Sequence, residues 1–536
     1  MEVHLFYFGA VVALMGSLYY LLTRRHGYFH DKPIPSMAAV PIFGSVGDLM
    51  LQRVPLSEFI QTMYAKYSGV KVFGMFDLMT PTYVIRDPEL IKQVGVKDFD
   101  HFSDHVQGFG NSNYDHPNLL TGKTLFSLTG QRWKTMRATL SPAFSGSKMR
   151  YMFELIVDSV ERAVKYYEEQ AAKNGAQVYE VKDVFSRFAN DVIATCAFGL
   201  QVESSRDREN EFFVNGKKMI DFGRLIVMLR FMGHQLAPWL MAYFGWDITD
   251  EEQNTFFKTL ILDAIKDREQ RGIVRPDMIN LLIQAKKGTL KHQKETDQQA
   301  EGFATVQESE VGKSTITTAM TDVEMVAQCL IFFLAGFDTV STSLLYTAYE
   351  LAINPEVQQK LYEEIQATRS SLGGKPLTYD AMQKMKYMDM VISEALRMWP
   401  PAPSTDRVCV KDYVLDEGNG KRYTIEKGST VWIPVQGLHH DPEYFPQPKK
   451  FDPDRFSDER KGSINTGAYL PFGIGPRNCI GSRFALAEVK TILYYMLGSF
   501  SFERCSKTEV PPVLAKGFDV IPAKGMHIEF KPRARQ

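Results

Sequence analysis

A mainly α, α+β domain with small β-sheets, preceded by an N-terminal transmembrane helix, is the fold class this sequence predicts. Three observations carry it. Helical periodicity runs through 146–173, 250–271, 322–353, 355–370, 384–399 and 481–498, whereas β-like runs are short and confined to 70–86, 421–435 and 517–530. Residues 3–22, VHLFYFGAVVALMGSLYYLL, are apolar with one histidine and no formal charge. No domain-scale linker or internal repeat interrupts the 536-residue chain beyond about residue 42.

The apolar run comes first. Twenty residues at ~1.5 Å each span ~30 Å, the hydrocarbon thickness of a bilayer. Glu2 precedes the run and Arg24, Arg25 and His26 follow it. The positive-inside rule then places the N-terminus in the lumen and the rest in the cytosol. A cleaved signal peptide would need its basic residues on the other side. Residues 1–25 are therefore expected to be a retained single-pass anchor. Residues 26–41, with Pro33, Pro35 and Pro41, read as a hinge that cannot continue the helix. Residues 42–536 read as one large domain.

A second apolar stretch, 222–245, contains Arg224, Arg230, His234 and Pro238, which argue against another span. It reads either as an interfacial, partly inserted segment or as an ordinary buried helix pair. Residues 286–321, rich in Lys, Glu, Gln, Thr and Gly, read as a solvated loop between helices. Thr321 and Glu324 then form a T-x-x-E capping box, and Asn354-Pro355 a stop. The first half of that helix, VAQCLIFFLAGF, is apolar all round and belongs in a core. Asp338 and Thr339 lie at its middle, where a carboxylate is costly unless paired or used.

Composition excludes several classes. Lys and Arg total 62 against 63 Asp and Glu, so the basic excess of a general nucleic-acid binder is missing. Five cysteines, at 196, 329, 409, 479 and 505, form no C-x-x-C pair, which argues against a disulfide framework or structural zinc. No N-x-[ST] acceptor occurs, in keeping with a cytosol-facing protein.

The chemistry concentrates at Phe472-Gly473-Ile474-Gly475-Pro476-Arg477-Asn478-Cys479-Ile480-Gly481. Glycines and proline make a tight loop, and the apolar pattern after it makes a helix. Cys479 thus sits at a helix N-terminus near Arg477, and both favour thiolate over thiol. Backbone N–H groups of the loop could tune such a thiolate as a metal ligand. An inert cysteine is the plain alternative. A dinucleotide loop is excluded by the glycine spacing and by Pro476. His439 and His440 lack a third ligand at a usual spacing and read as structural.

The F-x-x-G-x-R-x-C-x-G pattern of 472–481 resembles the heme-binding signature of the cytochromes P-450. Four further motifs resemble that family's in order: Trp133-Lys-Thr-Met-Arg137, Ala335-Gly336-Phe337-Asp338-Thr339, Glu394-Ala395-Leu396-Arg397, and Pro453-Asp454-Arg455-Phe456, where Asp454 replaces the usual glutamate. Val340 stands where the family often has Thr or Ser. The resemblance covers nearly the whole chain after the anchor and implies a triangular, helix-rich P-450 fold.

It also implies heme b (iron protoporphyrin IX) as cofactor, with Cys479 as the thiolate ligand to iron. Phe472 and Gly481 would belong to the binding loop, and Trp133, Arg137, Arg407 and Arg477 would hold the propionates, a bidentate task suited to arginine. Asp338 and Thr339 would relay protons in catalysis, with Gly336 favouring a local helix distortion. Glu394, Arg397 and Arg455 would form a structural triad. The implied activity is a microsomal monooxygenase of the endoplasmic reticulum membrane. It would hydroxylate or epoxidise lipophilic molecules, xenobiotics as in insect members. Its electrons would come from NADPH–cytochrome P-450 reductase, with cytochrome b5 a further candidate partner. Lys134, Arg137, Lys148, Arg150, Arg477 and Arg483 would make a basic docking patch. Substrate contacts would fall at 101–125, 222–245, 332–339, 403–404 and Phe518. The alternatives are an O2-independent isomerase or dehydratase on the same scaffold, against which Asp338-Thr339 argues, and a non-catalytic heme sensor or carrier.

Overall fold

The computed structural model describes every residue except 1, 107–115, 117–118, 222, 289–301, 307–308, 312–319, 419 and 535–536. The expected substrate loop at 101–125 and the expected solvated loop at 286–321 thus lie partly outside the described residues. Two compact units emerge.

The first comprises residues 1–106, 403–438 and 516–518. It opens with helix Glu2–Thr23, on which Leu5, Phe6, Phe8, Leu14, Tyr19 and Tyr20 are exposed. Strands Val72–Asp77, Thr80–Ile85, Thr430–Ile433 and Thr405–Val408 then form a four-stranded sheet in that spatial order. The pairing of Thr80–Ile85 with Thr430–Ile433 is parallel and the other two are antiparallel. Ile60, Met63, Phe73, Met75 and Val84 close a core between this sheet and helix Leu56–Lys66. Alternation of side chains across the pleat delivers these residues to one face. Tyr413–Asp416 and Arg422–Ile425 make a separate hairpin.

The second unit comprises residues 107–402, 439–515 and 519–536 and is mostly helical. Its long helix runs unbroken from Asp322 to Ile353. Both halves of the capping box form: Glu324 N–H donates to Thr321 Oγ1 (3.2 Å) and Thr321 N–H donates to Glu324 Oε2 (2.7 Å). Pro355 then opens the next helix, Pro355–Leu372. The long helix packs against Val181–Ile193, Glu251–Arg271, Lys386–Met398 and Ser482–Ser499. Strands Gln177–Glu180, His527–Pro532 and Phe500–Arg504 complete this unit as a small antiparallel sheet.

Two expectations change here. The run 517–530 is a strand only from His527 onward, because Gly517, Pro522 and Gly525 break the earlier part into turns and isolated bridges. The stretch 222–245 becomes two helices, Leu225–Leu236 and Pro238–Phe244, bent by 119° where Pro238 cannot continue the first. It is not an ordinary buried pair, since Leu225, Trp239 and Tyr243 are 65%, 71% and 80% exposed. By length and composition, two helices among the described residues could cross a membrane, Glu2–Thr23 and Asp322–Ile353. The apolar stretch of the second is half buried, and the helix packs against four others of its unit.

Candidate heme-thiolate site

Gly473 and Gly475 take left-handed backbone (φ +76° and +69°), which lets the chain double back before Cys479. Three backbone bonds fix the loop: Cys479 N–H to Phe472 O (2.9 Å), Gly473 N–H to Leu470 O (3.1 Å) and Asn478 N–H to Gly475 O (2.9 Å). Helix Ser482–Ser499 follows, with Gly481 at its cap. Cys479 is the exposed one of the five cysteines; 196, 329 and 409 are buried and 505 is intermediate. Burial pushes the Cys196 and Cys409 thiols up, the latter to about 11, so neither forms thiolate readily.

Helix Gly130–Leu140 holds the loop from one side. Arg137 donates from Nη1 to Asn478 O and from Nη2 to Asn478 Oδ1, both at 2.8 Å. Arg477 donates to Leu128 O (2.6 Å) and lies 4.1 Å from the centre of the Trp133 ring. Arg137 and Arg477 are 3% and 8% exposed, so they drop out of the expected basic docking patch. Arg407 sits in the first unit, fully buried on strand Thr405–Val408, and donates to Asp406 O. Burial, opposed by Asp406, lowers it to about 10.

On the other side, Phe144 bridges the loop to the long helix. Its ring would stand 3.8 Å from a Cβ on Gly481 and meets Phe332 at 5.4 Å between centroids. The long helix is buried from Val340 to Ala352, whereas Ala335 and Thr339, four apart on one face of its first half, are exposed. The donor set on this unit fits a heme: an exposed thiol just ahead of a helix N-terminus, with the Arg137 and Arg477 guanidinium groups and the Trp133 ring beside its loop.

The acid and the alcohol do not point the same way, because adjacent helical residues lie about 100° apart. Thr339 Oγ1 donates back to Ala335 O (2.6 Å), the back-bonding arrangement of a mid-helix threonine. Asp338 turns instead to Lys182, whose Nζ lies 2.8 Å from Asp338 Oδ1 and also donates to Ser341 Oγ and Thr342 Oγ1 at 2.8 Å. That ion pair, with the Asp338 side chain still 48% exposed, answers the cost of a mid-helix carboxylate. Gly336 marks no helix break; it allows close approach, since a Cβ there would stand 3.1 Å from Ile193 Cδ1.

Glu394 and Arg397 are fully buried and paired side by side, Nε to Oε2 at 2.7 Å and Nη2 to Oε1 at 2.9 Å. Arg455 Nε stands 3.5 Å from Glu394 Oε2. Arg397 also donates to His439 O (2.7 Å) and Pro448 O (2.8 Å). The His439 ring donates from Nδ1 to Arg397 O (3.1 Å) and accepts from Leu470 N–H at Nε2 (2.9 Å), which makes it a neutral structural bridge to the cysteine loop. Burial, with Arg397 and His440 adding repulsion, lowers its pKa to about 3.

A pH dependence follows. Below the ordinary histidine value near 6.5 the unfolded chain gains a proton at 439 that the folded chain refuses, so stability falls as pH drops from about 6.5 toward 3. His439 alone should cost about 2 kcal/mol at pH 5, and His440, lowered to about 4 chiefly by burial, acts in the same direction. Denaturant unfolding of the holoprotein at pH 7 and pH 5 measures this; equal midpoints would contradict it.

Two residues at this site carry no sequence signal. Lys182 lies 156 positions from Asp338 in the chain, and Phe144 is one apolar residue among many.

The family model described as Cytochrome P450 matches residues 34–530. Cytochrome P450 9e2 of Blattella germanica is 42% identical over 97% of this chain and 96% of its own length. Probable cytochrome P450 9f2 of Drosophila melanogaster is 40% identical over 98% and 99%. Cytochrome P450 6k1 of Blattella germanica is 34% identical over 96% and 94%. The chain belongs to the cytochrome P450 family. It is accordingly a monooxygenase whose cofactor is heme with a cysteine thiolate as axial ligand.

Proposed function

We propose that the protein is a membrane-anchored monooxygenase of the endoplasmic reticulum that hydroxylates or epoxidises lipophilic small molecules, xenobiotics among them. One oxygen atom of O2 enters the substrate and the other leaves as water. NADPH supplies two electrons through a separate reductase, with cytochrome b5 as a further donor. Residues 1–25 serve as a single-pass anchor with the N-terminus in the lumen, 26–41 as hinge, and 42–536 as the cytosolic catalytic domain. The exposed apolar residues of 225–246 rest in the membrane surface.

The observation that carries this reading is the position of Cys479: an exposed thiol on a loop pinned by backbone bonds at the head of a helix. Bound there, heme supplies O2 activation, and thiolate donation favours O–O cleavage. Cys479 would hold its iron, and Phe472 and Gly481 shape the loop around the thiol. Trp133, Arg137 and Arg477 would hold the heme propionates. Thr339, on the open face of the long helix, orients a proton donor, and Asp338, restrained by Lys182, supplies protons from the solvent side.

Purified protein with a P450 reductase tests the reading. Oxygen and NADPH should be consumed together when a lipophilic compound giving a substrate-type spectral shift is present. Product formed without O2 would favour an isomerase, and heme without turnover a carrier. Replacing Thr339 by Ala should keep oxygen consumption while product per NADPH falls by roughly tenfold or more, the balance appearing as hydrogen peroxide. Unchanged coupling would remove Thr339 from proton delivery.

A further inference from the structure

The connection between helices Met278–Lys286 and Asp322–Ile353 is not solvated throughout. Residues 302–305 dock on the core of the second unit, where Ala304 is only 3% exposed. Phe303 N–H donates to Asp389 Oδ2 at 2.9 Å. The other oxygen of Asp389 stands 3.1 Å from Nζ of Lys490, a lysine only 3% exposed. Asp389 thus carries two duties, neutralising a buried cation and anchoring this segment. Gly302 permits the approach: its φ is +139°, and a Cβ there would lie 2.7 Å from Asp389 Oδ1.

The Phe303 ring goes further in. It meets Phe456 at 5.0 Å and Tyr469 at 5.3 Å between centroids. Tyr469 stacks on His439 at 5.4 Å and donates its hydroxyl to Ser393 O (2.9 Å). Leu470, next in the chain, donates to His439 Nε2 and accepts from Gly473 N–H, and Phe472 O accepts from Cys479 N–H. Packed rings and three hydrogen bonds therefore connect Phe303 to the cysteine.

The geometry points to Phe303 as a positioning residue for Cys479, with Gly302–Thr305 acting as an intramolecular clip on the segment that leads into the cysteine loop. The clip presses Tyr469 against His439 and so holds Leu470–Phe472 where their carbonyls receive the loop amides. This rests on Cys479 being the iron ligand, but the clip itself can be tested without that assumption.

Hydrogen exchange in the holoprotein gives the first measurement. Phe303→Ala and Gly302→Val should each speed exchange of the Leu470, Gly473 and Cys479 amides by roughly tenfold. Amides of helix Gly146–Asn174 should not change. The reduced carbon monoxide complex gives the second: a larger share should lose the red-shifted Soret band on warming. Phe303→Tyr, which keeps the ring, and Lys287→Ala, on the exposed start of the same connection, should both match the unsubstituted protein. Unchanged exchange at the three loop amides in both disruptive variants would overturn the clip, as would acceleration equal in the loop and in helix Gly146–Asn174. Faster loop exchange with an unaltered Soret band would keep the clip but separate it from the ligand, overturning the assignment of Phe303 to Cys479.

Discussion

Cys479→Ala should erase the red-shifted Soret band of the reduced carbon monoxide complex and lower turnover by at least about a thousandfold. A thiolate ligand must be reachable and must lose its proton. Cys196, Cys329 and Cys409 are buried among their own packing partners, and burial raises the Cys196 and Cys409 thiols. Cys505 donates to His527 O at 3.6 Å, at the end of a strand. Cys479 alone combines exposure with a helix N-terminus, whose partial positive charge favours the anion. Cys479→His makes the sharper control: imidazole also binds iron, so heme should stay while the red shift disappears. A red-shifted band surviving in Cys479→Ala would move the ligand to another residue and undo the reading of the site.

Much of this was legible in the sequence because it is local. Helices expected at 146–173, 250–271, 322–353, 355–370, 384–399 and 481–498 run from Gly146 to Asn174, Glu251 to Arg271, Asp322 to Ile353, Pro355 to Leu372, Lys386 to Met398 and Ser482 to Ser499. Each is an apolar stripe, or in Asp322–Ile353 an apolar run, bounded by turn or capping residues, a signal contained within the element. Helix Gly130–Leu140 is legible only through the Trp133–Arg137 motif, not by periodicity, because its interior is charged and hydroxylic and its burial depends on what it packs against. The partners of the site residues were not legible for the same reason. Nothing near Lys182 announces that it meets Asp338, and nothing in the polar composition of 286–321 announces that Phe303 is held by Asp389. The motif Asp338-Thr339 suggests two groups acting side by side; the helix turns them to different faces, and only coordinates show which neighbour each one finds.

Glu394→Ala should yield protein with roughly a tenth or less of the normal heme content, much of it insoluble, because the loss reaches the fold before it reaches chemistry. Glu394 and Arg397 are both 0% exposed. The Glu394 carboxylate accepts two bonds from Arg397 and one from Asp452 N–H (3.0 Å), and has Arg455 alongside. Removing it strands the Arg397 charge in a place water does not reach. Breaking a buried pair in this way costs about 3–5 kcal/mol, a large part of the ~5–15 kcal/mol that holds a typical domain together. The damage is aimed at the site, since Arg397 also holds His439 O and His439 in turn holds Leu470, eight residues before Asn478. Glu394→Gln is the informative partner. It can still accept from Asp452 N–H but supplies no charge to either arginine, so its heme content should fall between that of Glu394→Ala and the unsubstituted protein. Arg397→Lys should resemble Glu394→Ala, because a single ammonium cannot replace a fork bound to a carboxylate and two carbonyls. Heme content and unfolding midpoint, measured before turnover, separate the two possible roles. If Glu394→Ala carries normal heme with a normal Soret band and loses turnover alone, Glu394 acts in catalysis and the structural triad is the wrong description.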